Sequence, residues 1–442
     1  LKDVSEPHDE LPVDDLQDAW QVLSPDERLE GLHHLSRPEA DTFFVGISSA
    51  EQAAILLAMP VAERRVWFRH LPPDDAADVI QRAPEEERQG LVDLLDEPAH
   101  REVVALLAYA EDAAGGLMSP RFARLRPEMT VDEAISYLRH QAKQRLETIY
   151  YAYVLDREQR PLGVVSFREL FAATGDTPVE RVMQKKVISV PDTMDQEEVA
   201  RLIQKHGFNA LPVVDADGHM KGIVTLDDIV DVVEREATED IQKLGGMEAL
   251  DEPYLKVAFS RMVQKRAGWL AALFLGEMLT ATAMAEFEDE IARAVVLALF
   301  VPLIISSGGN SGSQATTLVI RAMALNEVKL RDVFRVGRRE FAAGAVLGLV
   351  LGAIGFFRIV IWEWVTPTYG EHYLLLAITV MASLIGVVMF GTIAGSLLPF
   401  VLRKVGLDPA SASAPFVATL VDVTGLVIYF TVASFVLRGT LL

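Results

Sequence analysis

Hydrophobicity along this 442-residue chain changes its period three times. Beyond about residue 265 it has almost no polar phase: apolar runs fall at about 268–285, 292–324, 341–365, 373–402 and 410–437. Each is near the roughly 20 residues that cross a hydrocarbon core, so five spans are expected. The second and fourth runs are longer than a span needs and contain Gly, Ser and Pro, which predicts bends or breaks there. The last run, PFVATLVDVTGLVIYF, encloses one carboxylate, Asp422. An ionised Asp at mid-membrane costs about 2.5–3.5 kcal/mol on insertion scales, so its presence points to cation passage.

Upstream the period shortens. RFARLRPEMTVDEAISYLRHQ followed by ETIYYAYVLDREQRPLGVVSFRELF reads strand, helix, strand, turn, strand, helix, and the order returns in KVISVPDTMDQEEVARLIQKH and FNALPVVDADGHMKGIVTLDDIVDVV. Two copies of about 60 residues with hairpin turns indicate a tandem α/β repeat. From residue 23 to 98 the pattern is instead an apolar residue, then Ser or Pro, then acids, as in LSPDE, MPVAE, LPPDD and APEEE, with Pro60, Pro72 and Pro84 evenly spaced and Ser24, Ser48 and Ser49 near the same phase. Pro and Ser suit helix starts and the acids suit the positive end of the helix dipole, which predicts a stack of short helices. A charged, helix-prone linker, EREATEDIQKLGGMEALDEPYLKVAFSRMVQKR, leads to the apolar half.

Charge sharpens this division. The formal net charge is -22, and essentially all of it lies before Lys265. An acidic body does not suit nucleic acid, whose phosphates need a basic surface, whereas carboxylates can collect divalent cations or simply solvate a surface. Asp227 and Asp231, and Glu236 and Asp240, are four apart on a helix, where like charges repel and a divalent cation would relieve them. There is no cysteine, which excludes disulfides and thiolate metal sites. Scattered His residues and the lack of a spaced nucleophile and base give no enzyme site. The first fifteen residues lack the basic flank and apolar core of a signal peptide. Arg321, Lys329, Arg331, Arg335, Arg338 and Arg339 are expected in the loop after the second span, and Arg403 and Lys404 in the loop after the fourth. The intervening loops FEDE and WEWVTPTYGEH have no Lys or Arg. By the positive-inside rule the soluble half is cytoplasmic and the C-terminus outside.

The α/β copies resemble cystathionine-beta-synthase (CBS) domains, with GIVTLDD close to that family's adenine-nucleotide pattern and GVVSFRE carrying Glu169 where Asp is expected. Ribose contacts from Thr225 and Asp228 compete with a simpler role as helix cap. AGGLMSP, DQEEVARL, LPVVD, GIVTLDDIVDVVE, EATEDIQKLG, SGGNSGSQATTLVIRA, GLDPA and VATLVDVTGLVIY, in that order, resemble the MgtE family of magnesium channels across nearly the whole chain. The resemblance implies a homodimer around one pore, with Asp422 from both subunits holding hydrated Mg2+ through its waters and the carbonyl of Ala418 offered to the same shell. Asn310 and Gln314 of SSGGNSGSQ would line the pore, while most of its Gly and Ser residues would pack helices closely. It further implies a cytosolic sensor at Asp74, Asp75, Asp78, Asp195, Glu197, Asp227, Asp228, Asp231, Glu236, Glu239, Asp240 and Asp408. Magnesium bridging these acids would shut the pore, provided the closed state binds cations more tightly. Tyr151 and Phe208 would lie near adenine of a bound ATP, with Arg168 at phosphate.

Departures from the family pattern are Gly207 at an acidic sensor position, and Ser313 and Ala414 where pore-lining Asn residues are expected. Glu277, a second intramembrane carboxylate, serves either as a buried Glu or as an ion-coupling group. The expected architecture is a multidomain membrane protein. It has an N-terminal α-helical superhelix (1–117), tandem α/β CBS domains (118–180 and 181–240), a connecting helix (241–264) and a five-helix transmembrane domain (265–442), in a bacterial inner membrane. A self-closing magnesium channel is expected first. An ion-coupled divalent cation exchanger and a non-transporting magnesium or nucleotide sensor are the alternatives.

Overall fold

The computed structural model describes residues 12–20, 22–141, 146–148, 150–250, 254–255 and 257–441. The chain forms two compact units, Leu1–Arg235 and Glu236–Leu442.

Among the described residues the first unit opens with eight short helices: α1 (Val13–Ala19), α2 (Pro25–His34), α3 (Arg37–Gly46), α4 (Ser49–Ala58), α5 (Val61–Phe68), α6 (Pro73–Arg82), α7 (Glu85–Val92) and α8 (Glu97–Leu106). Their N-caps, Ser24, Ser36, Ser48, Pro60, Pro72, Pro84 and Asp96, recur every twelve residues. The three serines form capping boxes with Glu27, Glu39 and Glu51, so each start is fixed locally. Helices of eight to ten residues are marginal alone, and the stack stands on shared burial of Phe44, Leu56, Trp67, Phe68, Ile80 and Leu91.

After a one-turn helix α9 (Ala114–Leu117) come the two α/β copies. The first contains β1 (Ala123–Leu125), α10 (Val131–Gln141), β2 (Tyr151–Leu155), β3 (Pro161–Ser166), α11 (Phe167–Ala172) and the short α12 (Val179–Val182). The second contains β4 (Val190–Pro191), α13 (Gln196–His206), β5 (Ala210–Val214), β6 (Met220–Thr225) and α14 (Leu226–Leu244). Both sheets have the same order, β1-β2-β3 and β4-β5-β6, a parallel pair followed by an antiparallel hairpin with a register shift at its far end. Phe122, Tyr153, Leu155, Ala210, Met220 and Ile223 pack the two sheets together, and Ser119 pairs with Ile223 of β6, stitching the start of the first copy to the second. The strand, helix, strand, hairpin, strand, helix order expected from the sequence is present in both copies.

The expected connecting helix at 241–264 is corrected. Helix α14 starts immediately after β6 and ends at Leu244, and the next helix begins only at Phe259. Gly246, at φ +75, takes the left-handed conformation that stops a helix.

The second unit holds five helices long and apolar enough to cross a membrane, among the described residues: Phe259–Glu286, Val295–Ala324, Leu330–Val365, Tyr373–Lys404 and Ala414–Val436. They are α15 (Phe259–Glu286), α17 (Val301–Ala324, entered through a 3₁₀ stretch at Val295–Phe300), α18 (Val333–Val365), α19 (Tyr373–Lys404) and α20 (Ala414–Val436), with a short α16 (Glu288–Arg293) after the first. The expected break in the second span is this 3₁₀ segment, with Pro302 in the first turn that follows, whereas Pro399 lies inside a continuous α19. The expected basic loop is also corrected. Arg321 belongs to the last turn of α17, and Arg335, Arg338 and Arg339 ride on the first turns of α18, leaving Lys329 and Arg331 in the connection. The charges shorten the apolar run without ending the helix.

Helices α17 and α19 meet along glycines. A Cβ on Gly391 would lie 3.1 Å from the Gly308 carbonyl carbon, and one on Gly395 would lie 2.9 Å from that of Gly312. Thr316 Oγ1 donates to both Gly312 and Gly395 carbonyls at 2.9 Å, joining the helices across this seam.

Candidate cation and nucleotide sites

Helix α6 carries Asp74, Asp75 and Asp78 on its first two turns, after the cap Pro72. The same unit brings Asp227, Asp228 and Asp231 of α14 toward them, together with Glu147, which no motif singled out. Asp74 is 7% exposed and its Oδ1 has no hydrogen-bond donor among the described residues. Asp228 accepts from Thr225 N at 3.1 Å and Thr225 Oγ1 at 2.6 Å, which starts α14 directly at the end of β6.

These acids crowd one another. Burial, reinforced by the surrounding carboxylates, pushes Asp75 and Asp228 up to about 7. Burial also raises Asp78 to about 6, against the pull of Arg235, and lifts Asp74 well above the ordinary carboxylate range. Glu147 and Asp231 are raised for the same first reason. A site of oxygen donors whose charge Arg82, Arg121 and Arg235 offset only in part suits a hard divalent cation.

The remaining sensor candidates of this unit are engaged locally. Asp195 caps α13 by accepting from Glu197 N at 2.9 Å, and Glu197 pairs with Arg201 one turn on. Gly207 closes α13 in the left-handed conformation at φ +65, a backbone reason for glycine where an acid was expected. Asp215, Asp217 and His219 are the one trio among the described residues whose ligand atoms already lie close enough to share a metal. Asp215, however, accepts from the N–H groups of Asp217 and His219 and pairs with Lys221 at 3.0 Å, the interactions of a hairpin turn.

The nucleotide candidates are held at the strand ends. Tyr151 begins β2 opposite Ser166, and Phe208 stacks on His206 with ring centroids 5.2 Å apart. Arg168 is exposed on α11. Glu169 completes a capping box with Ser166, at 2.7 and 2.8 Å, and its other oxygen accepts from Gln184 Nε2 at 2.8 Å. Those three bonds stabilise the anion and hold it below the usual carboxylate range despite partial burial. Thr225 is buried, and its hydroxyl is spent on Asp228. Both Ser166–Glu169 and Thr225–Asp228 therefore act as helix caps.

In the second unit, Glu236, Glu239 and Asp240 lie on the C-terminal half of α14. Lys243, another residue the sequence did not mark, sits between Glu239 and Asp408, with Nζ 2.6 Å from Asp408 Oδ2. Its two carboxylate partners hold its ammonium charged to well above the usual lysine range, against the opposing effect of burial. Asp408 Oδ1 accepts from Ala410 N at 2.8 Å, fixing the turn before α20. Trp269 Nε1 donates to Ser413 Oγ at 3.3 Å, and Ser413 caps α20.

Helix α20 presents Asp422 half-buried, one residue beyond Val421, which is fully enclosed. Ala418, one turn earlier, backs onto Gly309 of α17, 3.5 Å from a Cβ built there. Gly308, Gly309, Ser311 and Gly312 are buried, whereas Asn310 and Gln314 form an exposed stripe of α17. Ser313 and Ala414, the two departures, touch: Ser313 Oγ donates to Ala414 O at 3.3 Å. Glu277 of α15 lies within electrostatic reach of Asp422, and its neighbour Gly276 abuts Thr419, 3.0 Å from a Cβ built there.

A carboxylate midway along an apolar span, joined in one chain to an oxygen-only acid cluster, defines a membrane protein of the class that moves divalent cations. The matches to known families specify which. Residues 301–432 match the MgtE divalent cation transporter family, 11–112 the MgtE intracellular N domain, and 114–176 and 179–235 the CBS domain. The chain is 41% identical to the magnesium transporter MgtE of Thermus thermophilus, over 98% of this chain and 94% of that protein. It is 34% identical to the magnesium transporter MgtE of Enterococcus faecalis, over 93% and 96%. A crystal structure of the cytosolic domain of the Mg2+ channel MgtE in complex with ATP is 42% identical, covering 51% of this chain and 92% of that one with a TM-score of 0.47. The chain belongs to the MgtE family. It is a multi-pass membrane protein with a soluble N-terminal half.

Proposed function

We propose that this chain is a magnesium channel of the bacterial inner membrane, working as a homodimer and closed by cytosolic magnesium, with its soluble half in the cytoplasm and its C-terminus outside. Asp422 on α20 carries the reading: it is the carboxylate at the middle of the last apolar span, on a helix packed tightly against the glycine face of α17. Its oxygens accept hydrogen bonds from the water shell of Mg2+, which gives up water reluctantly, and Ala418 with Asn310 and Gln314 supplies further polar atoms along the path. Two subunits facing each other would double this ring of acceptors.

Closure follows from the acids of the soluble half. With magnesium bound, Asp74, Asp75 and Asp78 of α6 and Asp227, Asp228 and Asp231 of α14 are held together. Without it they repel and α6 separates from α14. Glu236, Glu239, Asp240 and Asp408 act in the same sense near the start of α20, and Asp195 and Glu197 contribute only when released from their local bonds. An adenine nucleotide such as ATP would bind the paired α/β domains through Tyr151, Arg168, Glu169 and Phe208, modulating the sensor.

A second reading has one observation in its favour. Glu277 lies within electrostatic reach of Asp422, so the two intramembrane carboxylates would feel each other's charge, as an exchanger would require. Recordings from bilayers containing the purified protein decide between them. Unitary magnesium currents support the channel, whereas saturable uptake that needs a proton or sodium gradient and disappears in Glu277→Gln supports exchange.

A further inference from the structure

We infer that Glu147, on the segment between α10 and β2, is a further ligand of the cation held between α6 and α14, completing an oxygen set with Asp74 and Asp228. The inference rests on the magnesium-sensor reading and extends it to a residue outside every motif.

Two observations carry it. The first is how Glu147 is held. Its N–H donates to Arg121 O at 2.9 Å, and its Oε2 accepts from Ser119 Oγ at 3.2 Å. Ser119 in turn exchanges both backbone hydrogen bonds with Ile223 of β6, at 2.8 and 2.9 Å. Two residues further along β6, Thr225 fixes Asp228. A short run of hydrogen bonds thus ties both Glu147 and Asp228 to strand β6, the preorganisation a cation site needs.

The second is Asp74, which approaches from α6. It is more than nine-tenths buried, and its Oδ1 lacks any donor among the described residues. A buried carboxylate oxygen without a donor is costly, and a cation is the partner that would satisfy it. Glu147 and Asp228 are the two nearby acids whose charge bears most strongly on Asp74. The guanidinium beside Glu147 does not meet the need, because Arg121 is engaged with Glu102 through Nε at 3.1 Å and Nη2 at 2.9 Å. Carboxylate oxygens alone select a hard ion such as Mg2+ over softer metals.

The test uses the full-length protein in proteoliposomes with Mg2+ as the probe, reading the magnesium concentration on the soluble-half side that halves uptake. Glu147→Gln keeps the size of the side chain and an acceptor for Ser119 while removing one charge from the donor set. It is expected to raise the half-closing concentration about tenfold. Thermal stability in chelator supplies an independent readout: removing a charge offset only in part raises it, whereas losing a merely structural residue lowers it. Glu158→Gln, exposed on the β2–β3 turn, is the control expected to change neither. A half-closing concentration within twofold of the parent, or lower stability in chelator, overturns the inference. Asp74→Asn and Asp228→Asn separate the two failures. If they shift closure and Glu147→Gln does not, Glu147 alone is misassigned; if none shifts closure, the sensor reading falls as well.

Discussion

The glycine seam between α17 and α19 yields a quantitative prediction, because the obstruction there is backbone. A methyl at residue 391 would sit 3.1 Å from the carbonyl carbon of Gly308 and 3.4 Å from its Cα, closer still to the carbonyl oxygen between them. No rotamer relieves a clash with a helix main chain, so Gly391→Ala must part the helices by about 1 Å in a closely packed interior. Overpacking of this kind costs about 1–3 kcal/mol. Gly395→Ala meets Gly312 and Thr316 in the same way and also disturbs the Thr316 bridge. Since the first substitution already opens the seam, the double variant should cost less than the sum of the two. The damage reaches α20, because Gly308 also receives Val421, the residue before Asp422. Thermal unfolding of the detergent-solubilised full chain, followed by tryptophan fluorescence, provides the assay, with Gly337→Ala as control, where the nearest atom is a leucine methyl at 3.6 Å. Gly391→Ala melting with Gly337→Ala and the parent would refute the close approach.

Further outcomes follow from the soluble residues. Lys243→Met should leave Glu239 and Asp408 facing each other unneutralised and, with both partly solvated, loosen the end of α14 by about 1 kcal/mol. Proteolysis after Gly245 should then quicken in chelator, Lys243→Arg should restore much of the protection, and equal cleavage in all three would contradict the role. In chelator, the raised folded-state values of Asp75 and Asp228 mean that the folded protein holds more protons than the unfolded chain between about pH 4 and 7. Stability should therefore fall as pH rises through that window, magnesium should flatten the slope, and denaturant titrations at pH 5.5 and 8 check both. Calorimetry with ATP tests Glu169. Gln184→Ala frees one of its oxygens and should tighten binding, whereas an unchanged affinity would place the ribose elsewhere.

How far the sequence revealed these features depended on how local their causes are. The caps of the helical stack were legible because Ser or Pro followed by an acid acts within one turn, although Ser36 and Asp96 keep the twelve-residue phase less visibly. The paired α/β order was legible because alternation and turn residues act over a few positions. The start of α14 was legible for the same reason, since Thr225 and Asp228 read as a cap, but its end was not: a separate helix was expected over 241–264, yet α14 runs unbroken past residue 240 and stops at Leu244. The clustering of α6 with α14 was expected only from family resemblance, since the sequence spacing between residues 74 and 228 carries no geometric information. Glu147 and Lys243 left no trace, because a lone Glu in a connecting segment and a lone Lys on a helix acquire partners only in three dimensions.

Magnesium uptake by proteoliposomes, measured for the parent and for Asp422→Ala with micromolar and then millimolar magnesium on the soluble-half side, bears most directly on the central claim. The parent should conduct at the low concentration and close at the high one, while Asp422→Ala, still folded by its unfolding temperature, should conduct at neither. Uptake through Asp422→Ala at the parent's rate would contradict the pore. Parent uptake indifferent to magnesium on that side would contradict its control by the soluble half.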